Sequence, residues 1–168
     1  VVLNVTYYER SGSEDAYYES LEAALSDYYN FYAGDSLLVL TDLDDYSSIT
    51  IDKQVRINFD GHTYSNSNPI EISAEYNEIT ESYRDISYVA LYNGNMESDI
   101  VVTDEIETSL ILDNITITYS YGTLELRHVK DSCSIIGGYY PTIQSKIDNL
   151  ILSGNVTVSS LTFTKPFT

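Results

Sequence analysis

Two alternating apolar pairs joined by a short polar bend recur along this chain, and that recurrence limits the fold more than any other feature. Leu110-x-Leu112-Asp-Asn-Ile115-x-Ile117 matches Leu150-x-Leu152-Ser-Gly-Asn-Val156-x-Val158. An earlier copy is Ile49-x-Ile51-Asp-Lys-Gln-Val55-x-Ile57, and a shorter one is Leu124-x-Leu126-Arg-His-Val129. Alternation with a period of two places every second side chain on one face of a strand. Each copy therefore lays two half-buried strands across a corner. Asn and Gly suit that corner, since they enter the left-handed backbone region at low cost. The intervals between copies are uneven, which excludes a strictly regular array but not irregular coils with loop insertions, and a β-sandwich can also be built from strands this short.

Residues 34–73 carry the clearest run of such strands. Apolar side chains alternate at Ile49 and Ile51, at Val55, Ile57 and Phe59, and at Ile70 and Ile72, separated by Asp, Ser, Asn, Gly or Pro. Runs this short are strands rather than helices. With 168 residues the chain suits one domain that buries its core without metals or disulfides.

The N-terminal segment reads differently. Residues 1–10 alternate loosely as an opening strand, and Ser11 three residues before Glu14 has the spacing of a capping box. Tyr17, Tyr18, Leu21, Ala24, Leu25, Tyr28, Tyr29 and Tyr32 then form one stripe, which predicts a helix over residues 14–32 closed by Gly34. Residues 1–34 are thus expected to be a strand and a helix, and residues 35–168 short strands, which the resemblance described next turns into a capping helix and coils. Residues 74–85 are a polar excursion. Residues 88–92 and 99–103 are expected to be strands flanking a tight turn at Asn93-Gly94.

Taken in order, residues 20–24 (SLEAA), 34–42 (GDSLLVLTD), 49–53 (ITIDK) and 60–64 (DGHTY) resemble the cap and first coils of right-handed parallel β-helices of the pectin-lyase-like type. The resemblance implies an all-β solenoid plugged by an N-terminal helix. It also implies a place in large extracellular, adhesin-like surface proteins. Its enzymes act on acidic polysaccharides through calcium held by carboxylates beside a basic residue, or through paired Asp/Glu.

Charge narrows the partners. With 26 acidic and 8 basic residues the net charge is -18, which repels phosphate backbones and anionic lipid. Nucleic acid is therefore not expected as a partner. Neither is membrane insertion, for no apolar run approaches eighteen residues. Cys133 is the single cysteine and forms no intrachain disulfide. A first residue Val1 rather than Met suggests a piece of a longer polypeptide with neighbouring domains. The triplets at Asn4, Asn114 and Asn155 fit N-x-T glycan acceptors and also arise by chance in a chain rich in Asn and Thr.

Candidate sites are few. Asp42, Asp44 and Asp45 offer enough oxygens for a calcium ion, although the cluster lacks the EF-hand spacing and a solvated turn explains it equally well. Asn93, Asn95, Glu97 and Asp99 alternate along one potential strand face and offer a second cation site, with a polar hairpin as the plain alternative. Arg127 and His128, near Lys130, are the only clustered basic groups, and no carboxylate triad is visibly registered with them. Among 17 tyrosines, the Tyr139-Tyr140 pair must send one ring outward if it lies on a strand. Tyr139 and Tyr140 are accordingly the candidates for stacking on a glycan or a surface-protein partner. The expected role is non-catalytic adhesion or carbohydrate binding at a cell surface. A polysaccharide lyase or glycoside hydrolase, and a purely structural spacer, are the alternatives.

Overall fold

The computed structural model describes residues 1–5, 16–27, 36–73, 76–77, 82–83, 88–103, 109–129 and 132–163. They form a parallel β-solenoid of about five turns. Before the first pass come β1 (Val2–Val5), β2 (Ala16–Tyr18) and helix α1 (Leu21–Ser26). The first pass is β3 (Ser36–Val39), β4 (Leu43–Asp44) and β5 (Ile49–Ile51), and the second is β6 (Val55–Asn58), β7 (Thr63–Ser65) and β8 (Ile70–Ile72). A small antiparallel pair, β9 (Tyr76–Asn77) and β10 (Ser82–Tyr83), leaves the coil in the polar excursion.

The third pass is β11 (Tyr88–Glu97) with β12 (Ile100–Val102), and the fourth is β13 (Ser109–Ile117) with β14 (Thr123–Leu126). The fifth and sixth passes, β15 (Cys133–Ser145) and β16 (Leu150–Phe163), run unbroken around all three faces.

The register lines up like residues in the interior. On the first face Leu37, Ile57, Leu91, Leu112, Ile135 and Leu152 stack in one row. On the third face the row is Ile49, Ile70, Ile100, Leu124, Ile143 and Leu161. Through the fifth pass these side chains are almost entirely removed from water. Each contributes about 1.5–3 kcal/mol relative to an exposed position. The alternation at Ile49/Ile51, Val55/Ile57/Phe59 and Ile70/Ile72 is the buried face, as the sequence led us to expect.

The recurring bend serves two different corners. Asn114 and Gly154 turn the chain from the first face to the second, both at positive φ (54° and 67°). Asp52 to Gln54 and Arg127 to His128 turn it from the third face back to the first. One sequence grammar at two kinds of corner explains the uneven intervals.

Two expectations are corrected. Asn93-Gly94 is no hairpin turn: Asn93 (φ 50°) is a first-to-second corner inside β11, and Val89-x-Leu91-Tyr-Asn-Gly94-x-Met96 is a further copy of the bend, in parallel register with residues 110–117. Gly94 hides the copy, because a Cβ there would lie 2.6 Å from Met96 and 2.8 Å from Phe59, which fill the interior instead.

The helix is also shorter than its stripe. Ala16–Tyr18 is a strand pairing antiparallel with β1, whose other edge pairs with β3. Pairing with an open strand edge outweighs the helical spacing of Tyr17 and Tyr18, residues that favour strands in any case. Ser20 caps α1 by accepting the Ala23 N–H at 3.0 Å, and Leu21, Ala24 and Leu25 join the buried core. The helix thus plugs the coil as expected. The Ser11–Glu14 box and Gly34 lie outside the described residues.

Candidate functional site

The second face presents rows of small polar side chains. Thr63, Asn95 and Thr116 stack in one row, and Asp44, Ser65 and Glu97 in the next. On β15 and β16 the face continues with Tyr139 beside Thr157, and the Tyr139 hydroxyl lies 3.1 Å from Ser159 Oγ. The matched parallel register of β4, β7, β11 and β13 repeats these side chains at about 4.8 Å.

Toward the capped end the face holds a groove of about 480 Å³ lined by Asp42, Leu43, Asp44, Thr63, Ser65 and Glu97. Its carboxylates are already oriented. Ser65 Oγ donates to Glu97 Oε2 at 2.7 Å, and Asp42 Oδ1 accepts the Thr63 N–H at 2.8 Å with His62 Nδ1 at 3.3 Å. The Thr63 bond first, then His62, hold the Asp42 carboxyl below its ordinary value. Asp44 Oδ2 accepts the Tyr46 hydroxyl at 2.9 Å, which raises that phenol. Tyr46 is 81% exposed, so its ring is a free apolar platform tethered by its polar tip to the groove wall.

The three aspartates do not come together as a ligand set. Asp45 is 7% exposed, and its Oδ2 accepts the Leu21 N–H at 3.2 Å. It belongs to the helix cap, while Asp42 and Asp44 stay on the groove. Among the described residues no group of three or more His, Cys, Asp or Glu is arranged to hold a metal ion.

The second cation arrangement is also dispersed. Asn93 sits at the corner, where Asn114 Nδ2 donates to it at 3.3 Å and it donates to Asn58 at 3.4 Å. Asn95 Nδ2 donates to the Gly61 carbonyl at 3.1 Å. Asp99 accepts the Tyr119 hydroxyl and, at 2.7 Å, the Thr123 N–H.

Tyr140 is corrected as a surface candidate. The ring is fully buried, and its buried hydroxyl has no hydrogen-bond partner among the described residues. Burial pushes the phenol up. Tyr139 is the outward member of the pair. Arg127 faces outward and is held by Glu125 through two bonds of 2.9 and 3.2 Å, in keeping with a strand surface. Cys133 is buried, and burial raises its thiol to about 12, so it is a core side chain. Lys130 lies outside the described residues.

Sequence reasoning missed Tyr46 and Tyr121, which are 81% and 87% exposed. The available signal was an aromatic inside a polar corner, Asp-Asp-Tyr46-Ser-Ser and Ser-Tyr121-Gly. A side chain at a corner belongs to neither strand face, so alternation gives it no inward position.

No protein-family model matches this chain, and neither a curated protein nor a solved structure matches it.

Proposed function

We propose that the protein is a non-catalytic binding solenoid that holds a neutral glycan along its second face, as part of an extracellular or cell-surface protein. The carrying observation is the groove of Asp42, Asp44, Thr63, Ser65 and Glu97 beside the exposed Tyr46 ring. A sugar offers an apolar face for the ring and hydroxyls for the carboxylates. Ligand sites typically combine an apolar surface with a few placed polar groups.

The charge selects among glycans. A net charge of -18 opposes uronates and phosphorylated sugars and leaves neutral ones favoured. Tyr139, farther along the same face, extends the binding track. The pectin-lyase-like opening at residues 20–24, 34–42, 49–53 and 60–64 supports the surface-protein setting.

The test is a glycan array spanning neutral and uronate oligosaccharides, read with the wild type and Tyr46→Ala. The expected result is retention of neutral glycans and a loss of about tenfold or more on removing the Tyr46 ring. Retention of uronates alone would contradict the reading.

A further inference from the structure

We infer that Asn114 is the acceptor of an N-linked glycan, in the surface-protein setting proposed above, on which this rests. The triplet Asn114-Ile115-Thr116 has the acceptor pattern, and the coil places each member where the chemistry needs it. Asn114 is exposed at a first-to-second corner inside β13, at φ 54°. Ile115 turns inward and is fully buried, which anchors the bend in the core. Thr116 stands on the outer second face, in the row of Thr63 and Asn95. The amide that takes the sugar and the hydroxyl that the triplet requires are thus both outside.

β11 and β15 flank β13 on its two edges, so Asn114 is exposed on the side of the coil, whatever lies beyond either end. Space is open toward β15. The register of Asp113 with Ile136 sets Gly137 beside Asn114, and a Cβ on Gly137 would meet nothing nearer than the Asn155 carbonyl at 4.0 Å. Toward β11, Asn114 Nδ2 donates to Asn93 Oδ1 at 3.3 Å. A primary amide carries two N–H groups, and glycosylation replaces one of them, which leaves the other for Asn93. Tyr46 lies at the opposite edge of the second face, between β4 and β5, so a glycan on Asn114 leaves the groove open.

The donor is a polyprenyl-diphosphate-linked oligosaccharide. Asn114 Nδ2 bonds to the anomeric carbon, and the bond from that carbon to the diphosphate oxygen breaks. The electron pair leaves with the polyprenyl diphosphate, and the amide proton passes to a base of the transferase.

Mass spectrometry of intact glycopeptides, on protein isolated from the cells that make it, tests this. A sugar mass is expected on the peptide holding Asn114, located to that residue by fragmentation. Thr116→Val keeps the shape of an outward side chain and removes its hydroxyl, so it should abolish the modification with circular dichroism and melting unchanged. Thr116→Ser should keep the modification, and Thr116→Ala repeats the comparison if the Val variant loses its fold. A bare Asn114 in protein recovered from outside the cell would overturn the inference and leave the surface setting standing. Protein found only inside the cell with Asn114 bare would overturn both. Sugar on Asn4 or Asn155 alone, or sugar persisting on Asn114 in a folded variant without the Thr116 hydroxyl, would also overturn it.

Discussion

Gly138 lies against the backbone of Ile115 so closely that a Cβ on Gly138 would sit 2.0 Å from the Ile115 carbonyl oxygen. The first-to-second corners therefore alternate in bulk along the stack, Phe59 followed by Gly94 and Ile115 followed by Gly138 on successive passes. Gly138 also has φ +96°. Gly138→Ala combines a backbone clash with a strained conformation and should cost about 3–5 kcal/mol. Gly154→Ala has φ +67° with its nearest contact at 3.4 Å, and should cost about 1–2 kcal/mol. Urea unfolding of the two variants measures the difference, and equal costs would contradict the close approach.

Asn58, Asn93 and Asn114 form a ladder of side-chain amides up one edge of the solenoid. Asn114 has φ 54°, which glycine adopts freely and alanine does not. Asn114→Gly loses the amide bond and keeps the backbone, at about 0.5–1.5 kcal/mol. Asn114→Ala loses both and should cost about 2 kcal/mol or more. Thermal melts of the pair should rank them in that order.

The buried Tyr140 hydroxyl has no partner among the described residues, which makes a stabilising substitution available. Tyr140→Phe keeps the ring and removes the desolvated group, so it should raise stability by about 1 kcal/mol. Tyr140→Ala empties the site and should cost about 3–5 kcal/mol. A destabilised Phe variant would show that the hydroxyl has a partner.

Asp45 and Asp42 should give opposite pH dependences. Burial raises the Asp45 carboxyl above 3.8, against the lowering by the Leu21 and Glu22 N–H groups. The folded state then holds that proton more tightly than the unfolded chain. Its contribution is fully present below the ordinary value and is lost as pH rises through the folded pKa. The Asp42 carboxyl is lowered, so its contribution is present above 3.8 and is lost as pH falls through the folded pKa. Denaturant titrations across the acidic range should show Asp45→Asn gaining on the wild type as pH rises and Asp42→Asn losing ground. Same-sign slopes would contradict the placement of one carboxylate in the cap and the other on the groove.

The interior was legible wherever an apolar side chain marked it, as at Ile49, Ile51, Leu110 and Leu112. It was illegible where bulk is supplied by a neighbouring pass: Gly94 leaves its space to Phe59 and Met96, so its bend looked like a hairpin turn. The cap was half legible. Ser20, Leu21, Ala24 and Leu25 form the helix, but Tyr17 and Tyr18 follow the demand of β1 for a partner. For the candidate site, parity alone could place one tyrosine of the pair inside. Which one depends on the positive-φ corner at Gly137-Gly138, where the register with β16 shifts. Asp44 and Asp45 differ likewise in direction, through a helix that meets only one of them.

The binding face is tested most directly by titrating a neutral oligosaccharide retained on the array into three proteins by calorimetry: wild type, Tyr46→Ala and Tyr140→Phe. Saturable binding that weakens about tenfold or more in Tyr46→Ala and is unchanged in Tyr140→Phe is the expected result. Equal affinity in all three, or no neutral oligosaccharide bound by the folded wild type, would contradict the assignment of this face to glycan binding.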